Sequence, residues 1–515
     1  MLANIHEWKN SFTPFNRLPS DIISLIPTYL PSQKDRFRTS FVCRHWRRIF
    51  LQRAELWSEL DFLKGEDYVK TLLERSKGTP LVVQVGHVGR SRVPVSTVTL
   101  LSPHTGRVRV LGFVHHGRAD IQEFVDANPG PFPLLDSLTY NIPEAAGLGR
   151  FDVMIPPSTH LFATAVNLRK FHFYSESDRS PPISHFAFPN LVEFDFRVGR
   201  LPDDFPAPQL LDFLEASPML RAVRMKLSTI WRVEDVPQER VIVLPNVEDF
   251  DISVAHCKPD SYDFTTHISC PSITSMSLVL DDEHASITDA EEIFPTPAFW
   301  NAIAQQYTRG PLEEVILELD DIELDNKVTC MFTLRSSDAA VVKLSITIST
   351  VGEDKDEVRY QAFIETTSSI LNHPQLANIK RFSICHNYDH IASIYTPHTT
   401  MRVGRLLKSL GPLDEFTIYR CNVQPYSLYF LRALKQVEES VVFSPIKRLI
   451  ISLPLSSPNE GFTTAIVGLA QSRHALGVPF EQVVICAGWL PAGVEEALMP
   501  WVANVEYCYE EPEYD

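Results

Sequence analysis

The groups able to titrate, ligate or attack are considered before any element is assigned. His115-His116, and His386 with His390, have the residue type of a metal or general-base site. Neither pair has a cysteine or a further ligand cluster beside it, and His386-Asn387-Tyr388-Asp389-His390 follows a strand pattern, so it reads as an exposed loop. Asp281-Asp282 and Asp320-Asp321 are paired carboxylates placed just past strand patterns. They could contact a partner, but nothing beside them would shift their pKa values toward acid–base work. Cys385, Cys421 and Cys486 end or trail strand patterns and read as buried, inert thiols. Gly86-His87-Val88-Gly89 and Gly147-Leu148-Gly149 lack the third glycine and the strand–helix setting of a dinucleotide site, so they read as turns. The chain has no P-loop, no G-x-S-x-G elbow, no H-E-x-x-H and no calcium loop. These residues point to a protein that binds rather than catalyses, with no cofactor and no metal.

The stretch with the clearest binding chemistry is 15–62, a small helical module with more large apolar groups than it can bury alone. Pro19 stands where a first helical residue would, since its missing N–H costs nothing there. Ile22, Ile26 and Leu30 follow at fourfold spacing, which predicts one helical stripe. Ser32 with Asp35 three residues on is a capping-box signal for a second helix carrying Phe37 and Phe41. A third helix holds Trp46, Ile49 and Phe50 on one face, with Arg44, Arg47, Arg48 and Arg53 between them, and Leu56-Trp57 closes the module. An exposed apolar stripe of this kind marks an interface. The arginines read as a solvated face unless the partner is acidic.

Leu18-Pro19-x-Asp21-Ile22-Ile23, then Leu30, then Val42-Cys43-Arg44-x-Trp46-Arg47, then Leu56-Trp57, resembles an F-box. The resemblance covers about a tenth of the chain. It implies a three-helix hook that docks on a Skp-type adaptor and through it on a cullin. The positions it implies for adaptor contact are Leu18, Pro19, Ile22, Ile26, Leu30, Val42 and Trp46, with Trp46 serving both core and docking face. Pro27 stands where that family has a bulky apolar residue, and a proline inside a helix removes a hydrogen bond, so a shorter or bent first helix is expected.

Composition sets outer bounds. At 515 residues, 44% apolar and 22% charged, the chain has an ordinary globular composition. Its 47 basic and 64 acidic residues leave a net charge of −17, which argues against a nucleic-acid or anionic-membrane binder. No signal pattern and no run of transmembrane length occurs. Eight cysteines without a CxxC pair fit reduced thiols, so a cytoplasmic or nuclear protein is expected.

After the module one strand pattern recurs: an aliphatic residue, two variable positions, an apolar residue, one variable, an apolar residue. It appears as Leu135-x-x-Leu138-x-Tyr140, and recurs from Leu168, Leu191, Leu220, Val247, Ile273, Leu312, Val341, Ile379, Leu413, Ile446, Phe480 and Val502. The late spacings are 34, 33 and 34 residues, from 379 to 413, 446 and 480. Helical stretches lie between copies at 209–216, 298–307, 362–372, 426–439 and 463–476, while acidic runs at 318–325, 353–357 and 509–515 read as loops or a tail. A strand and a helix repeated at fixed spacing is the signature of a solenoid, and the LxxLxL core resembles the leucine-rich repeat. The alternative, an ordinary doubly wound α/β enzyme, would need a single sheet of unusual size.

The expected architecture is α/β: an extension over 1–14, an F-box over 15–62, a curved αβ solenoid of leucine-rich-type repeats over 63–508 and an acidic tail over 509–515. Overall the chain resembles fungal F-box proteins with long, divergent repeat regions. The resemblance implies a substrate-recognition subunit of a cullin-based ubiquitin ligase, with an unknown target protein held on outward strand positions such as Glu193, Asp195, Arg197, Arg381, Glu415, Thr417 and Lys447. The competing class is a plain scaffold whose hook has lost its adaptor.

Overall fold

The structure is a computed structural model that describes residues 13–30, 32–86, 94–114, 118–142, 165–175, 188–198, 207–227, 235–237, 239–254, 263–282, 312–322, 327–336, 341–349, 379–386, 413–419, 431, 435, 446–452, 460–486 and 493–508. It is a mixed α/β protein. The chain divides into two compact units, Met1–Phe205 with Asp212–Ala222, and Pro206–Leu211 with Val223–Asp515.

The first unit opens with helices α1 (Ser20–Leu25), α2 (Gln33–Thr39) and α3 (Arg44–Gln52). Pro19 is the residue before α1 rather than its first member. The α-helical pattern stops at Leu25 and Ile26–Tyr29 tightens into a 3-10 turn around Pro27, which has no N–H to continue the ladder. Ser32 caps α2: its hydroxyl accepts from the Asp35 N–H at 3.1 Å and donates to the Asp35 carboxylate at 2.7 Å. A short strand, β1 (Glu59–Asp61), follows, then α4 (Glu66–Ser76), whose Val69, Leu72, Leu73 and Ser76 share one buried face.

From here strands stack in chain order: β2 (Leu81–Gly86), β3 (Val108–Val114), β4 (Ser137–Ile142), β5 (Lys170–Ser175) and β6 (Glu193–Val198). Each is parallel to its predecessor, starting from β1. Helices α5 (Val95–Val98), α6 (Arg118–Ala127) and α7 (Ala207–Glu215) lie between or after them. The sequence pattern is also the ladder register. Leu111, Leu138, Phe171 and Phe194 are successive partners, and so are Phe113, Tyr140, Phe173 and Phe196. All eight are buried; Phe113 stacks on Tyr140 at 5.1 Å and Phe173 on Phe196 at 5.2 Å, while Tyr140 lies tilted to Phe173 at 6.1 Å.

A recurring turn sets that register. Leu135, Leu168, Leu191, Leu220, Val247 and Ile273 each donate their N–H to the carbonyl three residues back, at 3.0–3.4 Å. Five of these six turns have proline in second position (133, 189, 218, 245 and 271), where its fixed φ suits the turn and its missing donor is not needed. This is why so many apolar runs in this chain are preceded by proline. The turn asparagines add a rung between repeats: Asn167 donates to the Pro133 carbonyl at 2.7 Å and Asn190 to that of Val166 at 2.8 Å.

The second unit carries β7 (Ala222–Leu227), β8 (Ile242–Val243), β9 (Asp249–Val254), β10 (Ile268–Ser269), β11 (Ser275–Asp282), β12 (Leu312–Ile322), β13 (Lys327–Ser336), β14 (Val341–Ser349), β15 (Arg381–His386), β16 (Glu415–Tyr419), β17 (Arg448–Ser452), β18 (Gln482–Cys486) and β19 (Asn504–Cys508), with helices α8 (Glu460–Ala475) and α9 (Val494–Leu498). Strands β12, β15, β16, β17, β18 and β19 are parallel and in pattern register, with Val315, Phe382, Phe416, Leu449, Val483 and Val505 in one column. β13, which the sequence pattern missed, runs antiparallel between β12 and β14. β14 pairs with β11, but its Leu344 meets Leu278 rather than Met276, so the Val341 copy is offset by two residues.

Two loop expectations are corrected. Residues 318–322 of the first acidic run belong to β12, because β13 supplies hairpin partners as far as Ile322, and Asp320-Asp321 therefore lie within a strand. Asp281-Asp282 end β11 instead of following it. The expected helices at 298–307, 362–372 and 426–439 (apart from residues 431 and 435), the acidic runs at 353–357 and 509–515, His115-His116, His390 and Cys421 lie outside the described residues.

Candidate partner-binding surface

The helical module has a complete core of its own. Ile23, Trp46, Ile49, Phe50, Leu56 and Trp57 are buried, with Trp46 edge-on to Phe50 at 5.7 Å. Trp57 is the pivot: its indole N–H donates to the Phe50 carbonyl at 3.1 Å, Phe37 stacks on it at 5.1 Å and the Arg75 guanidinium lies over it at 4.6 Å. Arg53 donates to the Ser24 hydroxyl, tying the end of α3 to α1. Arg36 pairs with Glu59, and Tyr68 donates to the Gln33 side chain at 3.1 Å, so β1 and α4 complete the module's inner wall. Burial, with Asp61 and Glu59 nearby, pushes the Tyr68 hydroxyl up to about 12, so it stays a neutral donor.

Once that core is closed, a second apolar set remains outside. Phe15, Ile22, Leu25, Tyr29, Phe41 and Val42 are all exposed, Tyr29 by 82%. With Leu63 they make seven of the fifteen exposed large apolar residues among the described ones, in a module that is about a sixth of the described residues. Such concentration is not the scatter of single apolar groups normal on a surface. Arg47 lies over the Phe41 ring at 5.7 Å, at the border of this set with the exposed basic face of α3. Residues 15–63 hold eight basic and five acidic residues, so the module is cationic in a chain of net charge −17.

Of the residues expected at the adaptor surface, Pro19, Ile22 and Val42 are exposed, and Leu18, Ile26 and Leu30 are half-buried. Trp46 is 8% exposed and belongs to the core. Sequence reasoning passed over Phe15, Leu25 and Tyr29, and it placed Phe41 on the second helix, which ends at Thr39. The signal was present, since Ile22, Leu25 and Tyr29 stand at i, i+3 and i+7.

The expected target-facing residues divide unevenly. Arg197, Arg381 and Lys447 are exposed; Glu193 and Glu415 are half-buried in ladder ion pairs with Lys170 and Arg448, each at 3.0 Å. Lys447 precedes β17 and pairs with Asp414 at 2.7 Å. Asp195 and Thr417 are corrections, because both are buried. Thr417 is one of a register row, Ser383, Thr417, Ile450 and Val484, that is buried or half-buried on the face opposite Phe382 and Phe416. Alternation along a strand places a residue on one face of the sheet, but it does not make that face open to solvent. Asp195 accepts from Tyr174 at 2.8 Å and from Arg197 at 2.8 and 3.0 Å, with His172 4.0 Å away. Burial would raise its carboxyl, but His172, Arg197 and Tyr174 outweigh it and hold the group down at about 2. The carboxylate fixes the Arg197 guanidinium over the Tyr174 ring, 5.2 Å from its centre.

Among the described residues, no group of three or more His, Cys, Asp or Glu side chains is placed to hold a metal ion, and no described helix is long and apolar enough to cross a membrane.

Comparison with known families places these features. Residues 15–63 match the family model described as F-box-like. Curated proteins provide no match to the chain. The helical module with the exposed apolar set is therefore an F-box-like domain.

Proposed function

We propose that this protein is a substrate-recognition subunit of a cullin-based ubiquitin ligase, acting in the cytoplasm or nucleus. Its F-box-like domain docks on a Skp-type adaptor, which carries it to a cullin. The strand units, read as stacked leucine-rich-type repeats, hold a target protein. The observation that carries the reading is the exposed set Phe15, Ile22, Leu25, Tyr29, Phe41 and Val42, left outside a finished core within an F-box-like domain. Apolar surface of this kind gains by leaving water, and aromatic groups contribute most at interface centres. In-register stacking of the pattern residues supports the repeat reading. The chain would contribute binding only, raising the concentration of its target near enzymes carried by other subunits.

The test is titration of the purified full chain with a purified Skp-type adaptor. A stable complex is expected, lost on Leu25→Asp with Tyr29→Asp, both of which alter exposed positions and leave the core intact. Absence of a complex at micromolar adaptor would overturn the reading and leave a plain binding scaffold.

A further inference from the structure

Cys486 ends β18 and Cys508 ends β19, and the two are direct partners in the parallel ladder. Partners in a ladder direct their side chains to the same face. An interstrand spacing of about 4.8 Å also falls inside the window of about 4.4–6.8 Å that disulfides span between Cα atoms. The Cys508 thiol is near enough to help raise the Cys486 thiol. They lie on the face of Gln482, Val484 and Glu506, opposite Val483 and Ile485, with Cys486 buried and Cys508 half-buried. No other described cysteine has a cysteine as its ladder partner: Cys385 stands between Glu318 and Tyr419.

We propose that Cys486 and Cys508 are a thiol modification site, a reversible disulfide that staples β19 to β18. This inference is independent of the adaptor reading. Cys508 is half-buried and Cys486 is buried, so an oxidant such as hydrogen peroxide reaches Cys508 first. One oxygen is transferred to the Cys508 sulfur, giving a sulfenic acid and water. The Cys486 sulfur then attacks that sulfur and loses its proton, the S–S bond forms and a second water leaves. A thiol reductant returns both protons and both electrons. Burial pushes the Cys486 thiol up to about 11, helped by Cys508 and Glu506 against Arg448, so it is the resolving thiol and not the one oxidised first.

The experiment is peroxide treatment of the full chain, alkylation of remaining thiols under denaturing conditions, and peptide mapping. The expected result is a linked peptide pair joining Cys486 to Cys508, two hydrogens lighter than the separate peptides and released by dithiothreitol. The link should persist in Cys385→Ser and vanish in Cys508→Ser. Mapping of the unaltered chain decides the matter even where a variant folds poorly. Recovery of Cys508 as a sulfinic acid with Cys486 alkylated, or of both thiols alkylated at peroxide doses that oxidise other cysteines, would overturn the proposal.

Discussion

Ile22 and Ile23 are neighbours in the chain, and the proposed docking on an adaptor gives them opposite tasks. Ile23 is fully buried, whereas Ile22 is 44% exposed. Ile23→Ala removes a side chain from a closed core, a change that costs about 2–5 kcal/mol. Set against a typical domain stability of ~5–15 kcal/mol, that should lower the melting of the first unit clearly. Ile22→Ala should stay within about 0.5 kcal/mol, as surface changes do. Adaptor binding should respond to the other residue. Complete burial of an isoleucine side chain is worth ~1.5–3 kcal/mol, so the share of Ile22 still facing water can yield about 1 kcal/mol on docking, roughly fivefold in affinity. Ile22→Asp with Leu25→Asp removes two such contributions, roughly 30-fold, before the cost of desolvating two carboxylates. Thermal melts and calorimetric titration with purified adaptor measure both sides. Equal melting losses in Ile22→Ala and Ile23→Ala, or wild-type affinity in the double variant, would refute the division of the module into core and docking face.

Two further outcomes follow from the same packing. Trp57→Ala should cost about 3–5 kcal/mol in urea unfolding of the first unit, whereas Trp57→Phe, which keeps a ring against Phe37 but loses the bond to the Phe50 carbonyl, should cost markedly less. Asp195 is held at about 2 in the folded protein against an ordinary 3.8, so its contribution is present above pH 3.8 and fades as pH falls through 2. The stability gap between wild type and Asp195→Asn should therefore be largest near neutrality, ~2 kcal/mol, and shrink below pH 3; a gap that stays constant over that range would show that the carboxylate's charge does not matter.

The repeat pattern was legible because packing imposes it one strand at a time. Every parallel neighbour must present an apolar group at the same ladder level, and Leu138, Phe171 and Phe194 obey that whatever lies between them. The outward stripe of the F-box-like domain was not read correctly, and the reason is geometric. Fourfold spacing from Ile22 to Ile26 and Leu30 defines one face only while the chain keeps 3.6 residues per turn. After Leu25 it has three per turn, so Leu30 rotates off that face and is half-buried, while Tyr29 stays outside with Ile22 and Leu25. Asp195 and Thr417 fail for a different reason: spacing tells which residues share a face, and only the packed partner tells whether that face meets water.

The antiparallel strand β13 explains why the spacing of the repeats breaks between β11 and β15. Within the second unit the pairing order is β11, β14, β13, β12, β15, so the chain places β12 three strands away from β11 before returning through β13 and β14. A crossing of that length cannot keep a constant interval between pattern residues. From β15 onward each strand pairs with its successor in sequence, and the pattern residues recur at 33–34 residues as far as β18. The last step tests this account, since Phe480 to Val502 is shorter than its predecessors although its strands remain in register. The five residues of α9 replace the 16 of α8, so the interval follows the length of the returning helix while the ladder sets the register.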